Sequence, residues 1–160
     1  MSDVRLHPVS ESNFIERLHL AFAEGDAAVA HKVEEAGNVR QLQESYRALA
    51  RGDFGPTFAM LHDDVEMQFF GPPGAPIAGK WSGRPMVAEA IQRNFGQLEE
   101  QRAEVLSLVA QGDTVVVVGH ETGRVRATGQ PYDWHWVQQF TFRDGRVVRF
   151  RGLCADSTTG

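Results

Sequence analysis

Two side chains near the centre of the chain have the chemistry that catalysis needs. His120 ends an apolar run that begins at Thr114, and histidine can take or give a proton because its ordinary pKa lies near neutral pH. Gln138 is a polar residue in the aromatic run 132–142. It cannot titrate, but its amide N–H can orient a ligand or stabilise an oxyanion. We predict that His120 and Gln138 are the catalytic residues.

Both residues also have an ordinary structural interpretation. A histidine near the end of a strand is often solvated or simply hydrogen-bonded. An unpaired amide among aromatic rings costs on the order of 1–3 kcal/mol. Gln138 therefore needs a partner, which can be a ligand, a water molecule or another side chain. The residues alone leave these alternatives open.

Aromatic side chains recur around Gln138 at strand spacing. Alternate residues of the run 132–142 share one face, because successive side chains of a strand point to opposite sides. Such a face forms either the wall of a cavity for an apolar ligand or plain core. A further tryptophan beside the Gly/Pro-rich loop 71–76 is either a pocket rim or a packing residue. We predict ligand contacts from Tyr46, Phe69, Trp81, Trp134, Trp136, Phe140 and Phe150.

Nucleophilic and metal-binding residue types predict no second site. Cys154 is the only cysteine, which rules out an intrachain disulfide, and a lone buried cysteine is usually an inert small hydrophobe. The six histidines show no spacing that would place two of them on one face together with a carboxylate, as a metal site requires. No Gly-rich phosphate loop is present. We therefore expect neither a metal nor a cofactor.

Length and composition indicate one globular domain. A chain of 160 residues with 42% hydrophobic and 23% charged residues can bury a core without disulfides or bound metals to stabilise it. The net charge of −5 argues against a nucleic-acid partner. The N-terminus lacks the apolar core of a signal peptide, and no apolar run is long enough to span a bilayer. We expect a cytoplasmic protein without a membrane partner.

The hydrophobic period changes from 3.6 to 2.0 near residue 103, so helices precede a meandering sheet. Asp144-Gly145 supplies the positive φ of a tight hairpin. The pattern predicts an α+β fold in which helices pack on a curved antiparallel sheet. We predict helices near 39–51, 54–61 and 84–99, and strands near 65–70, 103–109, 114–124, 132–143 and 146–154.

The organisation along the chain has three parts. We predict that residues 1–37 form an N-terminal helical extension, with one helix from Asn13 to Gly25 and another from Asp26 that ends at Gly37. Residues 38–156 form the main domain. Residues 157–160 are a tail.

Seven short motifs, taken in order, resemble the nuclear transport factor 2-like superfamily. Within this superfamily the motifs most resemble the SnoaL-like branch, which is similar to polyketide cyclases and ketosteroid isomerase. The resemblance spans about residues 38–156. The motifs are Tyr46-x-Ala-Leu-x-x-Gly-Asp53, Asp63-Asp-Val-Glu66, Gly71-Pro72, Pro76-x-x-Gly79, Gly83-Arg84, Thr128-Gly-Gln-Pro131 and Phe142-x-Asp-Gly145.

The resemblance implies a cone-shaped, cystatin-like α+β barrel with a pocket at its open end and a metal-free active site. It also implies that His120 faces inward, while Val115 and Val117 face outward. Phe69 stands where the isomerases have their base, and Gln138 stands where they and the cyclases have an acid. Gly152 follows Phe150-Arg151 where the epoxide hydrolases need an aspartate. Steroid isomerisation and epoxide hydrolysis are therefore disfavoured.

Two functions remain. One is a cofactor-independent isomerase, cyclase or lyase that acts by acid–base chemistry on a small, mostly apolar carbonyl compound. The other is a non-catalytic ligand-binding or accessory protein of the same fold. In either case we expect a homodimer joined through the outer face of the sheet, since an exposed apolar stripe usually needs a cover.

Overall fold

The structure, a computed structural model, describes residues 26–157, with side chains from residue 33 onward. Its described helices are α1 (Asp26–Ala50), α2 (Gly55–Ala59) and α3 (Arg84–Gly96). Its described strands are β1 (Leu61–Phe70), β2 (Gly79–Ser82), β3 (Leu98–Gln111), β4 (Thr114–Val125), β5 (Pro131–Arg143) and β6 (Arg146–Asp156).

The strands form one six-stranded curved sheet in the order β2-β1-β6-β5-β4-β3. The predicted α+β class with helices on a curved sheet is confirmed. The sheet is mixed rather than wholly antiparallel, because β1 pairs with β6 in parallel while the other neighbours are antiparallel. A parallel pair needs a long crossover, and the chain from β2 to β5 supplies it.

The predicted strands are all present, and their observed limits are wider. β2 was not predicted, because four residues that begin with glycine give too short a pattern. The segment His62–Asp64 was predicted as a turn and is instead part of β1. The pairing of β1 with β6 shifts between Leu61 and Glu66, so this polar segment lies at an irregularity of the strand.

Helix α1 continues through Gly37, where the sequence predicted a break. A glycine inside a helix costs about 1 kcal/mol, but the turns on both sides pack inward. Ala36 and Val39 are buried, and this burial outweighs the cost. The helix predicted from Asn13 lies outside the described residues, and the limits of the extension and tail stay a prediction. No described helix is long and apolar enough to cross a membrane.

The core lies between the helices and the inner face of the sheet, which is the face they cover. Leu42 of α1 and Val87 and Ile91 of α3 are buried against this face. The sheet contributes its own buried side chains to the same cluster. They are Met67, Leu108, Val115, Val117, Phe140, Val147 and Phe150.

The predicted orientation of β4 is wrong. Val115 and Val117 are fully buried on the inner face, whereas Val118 and His120 belong to the outer face. The reason is the pairing with β5, in which Val117 lies opposite Gln138 and Val118 lies opposite Val137. Four consecutive valines carry no alternation of their own, so the run could not show which face is buried.

We predict that Met67→Ala lowers the free energy of unfolding by about 2–5 kcal/mol, because it leaves a cavity in the core. Met67 is 1% exposed. The matched control is Met86→Ala, since Met86 is 54% exposed and its truncation should stay within about 0.5 kcal/mol. Urea denaturation measures both. Equal losses in the two variants would contradict the described core.

Candidate functional site

A cavity of about 670 Å³ lies between the helices and the inner face of the sheet. The three helices supply one wall, and strands β1 and β3 to β6 supply the other. Six of the seven predicted ligand contacts line it, as does Gln138. The lining also includes polar residues that the sequence did not single out: Ser45, Thr57, Asn94, Gln101, Arg102 and Glu121.

One polar group in the cavity is the pair Tyr46–Gln138, which we call the amide station. The Tyr46 hydroxyl donates a hydrogen bond of 2.5 Å to Gln138 Oε1. Burial raises the pKa of Tyr46 far above its usual range, so the hydroxyl keeps its proton and remains a donor. The carbonyl of the amide is thereby satisfied. Its Nε2 group has no hydrogen-bond partner among the described side chains, and because Gln138 lines the cavity, this group can donate to a ligand.

A second polar group surrounds Glu121 and was missed by the sequence analysis. The Tyr132 hydroxyl donates to Glu121 Oε2 at 3.1 Å, and Gln101 Nε2 lies 3.4 Å from Glu121 Oε1. Glu121, Tyr132 and Gln101 are called the carboxylate station below. Glu121 lies opposite Trp134 in the β4–β5 pairing. Knowledge of this register would have identified Glu121 as an inward-facing residue.

Burial raises the pKa of Glu121 above its usual range, and the hydrogen bonds from Tyr132 and Gln101 only partly oppose this. An apolar surrounding disfavours the charged carboxylate, which is how proteins bring a carboxyl group toward the pKa of a general base or acid. Burial also raises the pKa of Tyr132, and the Glu121 charge raises it further. Tyr132 therefore stays a hydrogen-bond donor.

Glycines on the sheet give the aromatic rings room to lie flat. A Cβ on Gly119 would stand 2.0 Å from Cζ2 of Trp136, and a Cβ on Gly152 would stand 2.0 Å from Cε1 of Phe69. Each ring therefore lies across the neighbouring strand instead of standing up from it. This arrangement covers the sheet with aromatic surface and leaves the cavity open.

Three further residues of the lining, Ser45, Thr57 and Cys154, offer the ligand little chemistry. Ser45 Oγ and Thr57 Oγ1 are 2.7 Å apart in a buried hydrogen bond. Burial, together with the charges of Glu121 and Asp156, raises the pKa of the Cys154 thiol to about 11. Because the thiolate is the nucleophile, Cys154 is unreactive at neutral pH.

His120 lies outside the cavity, so its predicted inward orientation is wrong. It is on the outer face, where its Nε2 atom is 2.6 Å from Asp133 Oδ1. Its ring centroid is 5.0 Å from that of His135, which is its cross-strand neighbour. Side chains alternate between the two faces along β4, so a strand with Val117 on the inner face has His120 on the outer face. A carboxylate partner on the outer face is the hydrogen-bonded alternative that the sequence had left open.

Trp81 is the predicted ligand contact that does not line the cavity. Its ring packs over Gly79, where a Cβ would be 2.6 Å from the indole, and the Arg93 guanidinium lies 5.6 Å from its centroid. Trp81 is thus a packing residue of the short strand β2. Within residues 26–157, no group of three or more His, Cys, Asp or Glu side chains is arranged to hold a metal ion.

Comparison with known proteins identifies the family. The model of the SnoaL-like domain matches residues 42–150, which include both polar stations. The chain belongs to the SnoaL-like family. Curated proteins gave no significant match.

Solved structures share the SnoaL-like fold over most of their length. A nuclear transport factor 2-like protein from Burkholderia xenovorans is 29% identical, with 74% of this chain and 88% of that one covered and a TM-score of 0.62. A similar protein of unknown function from Burkholderia pseudomallei is 25% identical, with 72% and 88% covered and a TM-score of 0.63. An epoxide hydrolase-like structure from M. tuberculosis is 19% identical, with 76% and 84% covered and a TM-score of 0.58, which shows the fold alone.

We predict that Glu121→Gln stabilises the protein, and that the gain grows with pH. The raised pKa of Glu121 means that the folded state favours the protonated form. Protonated Glu121 therefore contributes to the free energy of unfolding. This contribution is fully present below the pKa of a glutamate in the unfolded chain, about 4.3, and it is lost as pH rises through the pKa of Glu121 in the folded state. A neutral glutamine avoids this loss.

The measurement is the difference in Tm between variant and parent from pH 4 to pH 8. Glu44→Gln is the matched control, because Glu44 is exposed on α1 and its difference in Tm should change little with pH. If Glu121→Gln raises Tm by the same amount at pH 4 and at pH 8, Glu121 is not a buried, ionisable carboxyl group.

Proposed function

We propose that this protein binds a small, mostly apolar carbonyl compound in the cavity and acts on it by acid–base chemistry, as an isomerase, cyclase or lyase. Glu121 is the proton acceptor, in place of His120. The observation that supports this is a carboxyl group with a raised pKa inside an aromatic cavity. Proteins of this fold include cyclases, isomerases and epoxide hydrolases.

The proposed step is a proton transfer. Ionised Glu121 takes a proton from a C–H or O–H group of the ligand, and the electron pair moves through the ligand to its carbonyl oxygen. The Gln138 N–H donates a hydrogen bond to that oxygen as negative charge develops. A positioned general base contributes about 10²–10⁴-fold to a rate. Tyr46 and Tyr132 hold the two reacting groups in place through the hydrogen bonds described above.

A non-catalytic ligand-binding or accessory protein is the alternative. Two residues favour it. Phe69 stands where the sequence resemblance places the base of the isomerases, and Gln138 stands where it places an acid. Neither side chain can titrate, so the cavity would then serve binding alone.

We predict that the protein exchanges ligand protons with solvent and that Glu121→Gln lowers this exchange by about 10²-fold or more. The probes are the enones isophorone and β-ionone in D2O, with loss of the α and γ C–H signals followed by proton NMR. The rate should rise with pH through the raised pKa of Glu121. His120→Gln is the control and should keep the parental rate.

The outcomes separate the two functions. Exchange that depends on Glu121 supports the enzyme. Binding of the probes, seen as a rise in Tm, without any exchange supports the ligand-binding alternative. Exchange that survives Glu121→Gln would remove Glu121 from the proposed mechanism.

We also propose that the partner of the protein is a second copy of itself, held through the outer face of the sheet. Apolar side chains form a row there, with each member paired to the next across the strands. Two of them, Phe70 and Leu153, are 49% and 54% exposed. Exposed contiguous apolar surface of this kind marks an interaction site. The row consists of Phe70, Leu153, Val137 and Val118.

We predict a dimer of the 17.8 kDa chain at micromolar concentration by gel filtration with light scattering. The double variant Val137→Glu/Leu153→Glu should be monomeric, because face-to-face packing would bury like charges. Thr141→Glu, on the same face of β5 but outside the row, is the control and should stay dimeric. A monomeric parent would refute the proposal.

A further inference from the structure

We propose that the cavity is built for an elongated, flat ligand with two polar ends, a carbonyl at the amide station and a hydroxyl or N–H group at the carboxylate station. This proposal rests on the proposed use of the cavity for a carbonyl compound. It adds the elongated shape of the ligand, the chemistry of its second end and Gly119 as a residue that determines specificity.

The strand register sets the separation of the two stations along the backbone. Glu121 pairs with Trp134, Gly119 with Trp136 and Val117 with Gln138. The two stations are thus four residues apart along the same face of the β4–β5 ribbon, which is about 13 Å at roughly 3.3 Å per residue. The Glu121 and Gln138 side chains line the same cavity, so one elongated ligand can contact the two stations at once.

The surface between the stations is a single indole face. Trp136 lies flat over Gly119, since a Cβ at that position would be 2.0 Å from its ring. The Tyr46 ring stands 6.3 Å from it at an angle of 37°. A flat conjugated ligand can stack on this face. An alanine at position 119 would push the indole into the path between the stations.

The two stations offer opposite hydrogen-bonding chemistry. At the amide station the tyrosine hydrogen is already used on Gln138 Oε1, so the free group is the Nε2 donor. At the carboxylate station the ionised Glu121 can only accept. The ligand must therefore carry an acceptor at one end and a donor at the other, and it must bind in one direction.

The experiment compares three naphthalene probes by isothermal titration calorimetry with the full chain at pH 8. They are 6-hydroxy-2-acetonaphthone, which has both polar ends, 2-acetonaphthone, which has only the carbonyl, and 2-naphthol, which has only the hydroxyl. The two-ended probe should bind about 10-fold or more tightly than either one-ended probe, since each lost end removes a hydrogen bond between ligand and protein.

Variants assign each end to its station. Glu121→Leu should remove the advantage of the two-ended probe over 2-acetonaphthone, and Gln138→Leu should remove its advantage over 2-naphthol. Gly119→Ala should weaken the two-ended probe most. His120→Gln, on the outer face, is the control and should leave all three affinities unchanged. If Glu121→Leu does not fold, Glu121→Gln, which keeps the shape and loses the charge, should reduce the same advantage.

Three results would overturn the proposal: equal affinity for the three probes, an advantage of the hydroxyl that survives Glu121→Leu and Glu121→Gln, or binding that Gly119→Ala does not affect. These results are distinct from those of the proton-exchange experiment. The two-ended preference can hold in a protein that exchanges no protons, and exchange can occur with ligands that bind at one station only.

Discussion

The antiparallel pairing of β4 with β5 decides which side chains reach the cavity. A strand alternates its side chains between two faces, so a register shifted by one residue would exchange Glu121 for His120 and Val117 for Val118. The observed register places Trp134, Trp136 and Gln138 opposite Glu121, Gly119 and Val117. One polar group from each strand thus enters an aromatic surface, and each finds a hydrogen-bond partner there.

The open cavity depends on a second constraint, which is the pairing of aromatic rings with glycines. A helix-covered sheet face normally fills with interlocking side chains. Here Gly119 and Gly152 remove the side chains that would hold Trp136 and Phe69 upright. The two rings lie flat on the sheet, and the space between them and the helices remains open as the cavity. The same choice lowers the β propensity of both strands, so the cavity is maintained at some cost to the sheet.

The sequence predicted the fold class and the longer elements because these depend on periodicity, which burial reinforces. The inner face of β5 follows from alternation, and Gln138 was found as the polar residue on that face. The site was predicted less well, since it depends on how two strands meet. The valines of β4 look alike on both faces, and nothing local shows whether His120 or Glu121 points inward. The short strand β2 and the uninterrupted helix through Gly37 likewise follow from tertiary packing, which overrides local propensity.

The His120–Asp133 pair and the carboxylate station have opposite environments, and this explains why only the carboxylate station suits chemistry on an apolar ligand. His120 and Asp133 are 2.6 Å apart on the outer face, 30% and 44% exposed, where water competes with the pair and screens it. Glu121 is held by neutral donors, Tyr132 and Gln101, in the cavity. No cation balances it there among its hydrogen-bond partners, so burial keeps its affinity for a proton high. A carboxyl group in this state is costly to the folded protein at high pH, and it is well suited to accept a proton from a ligand that excludes water from the same cavity.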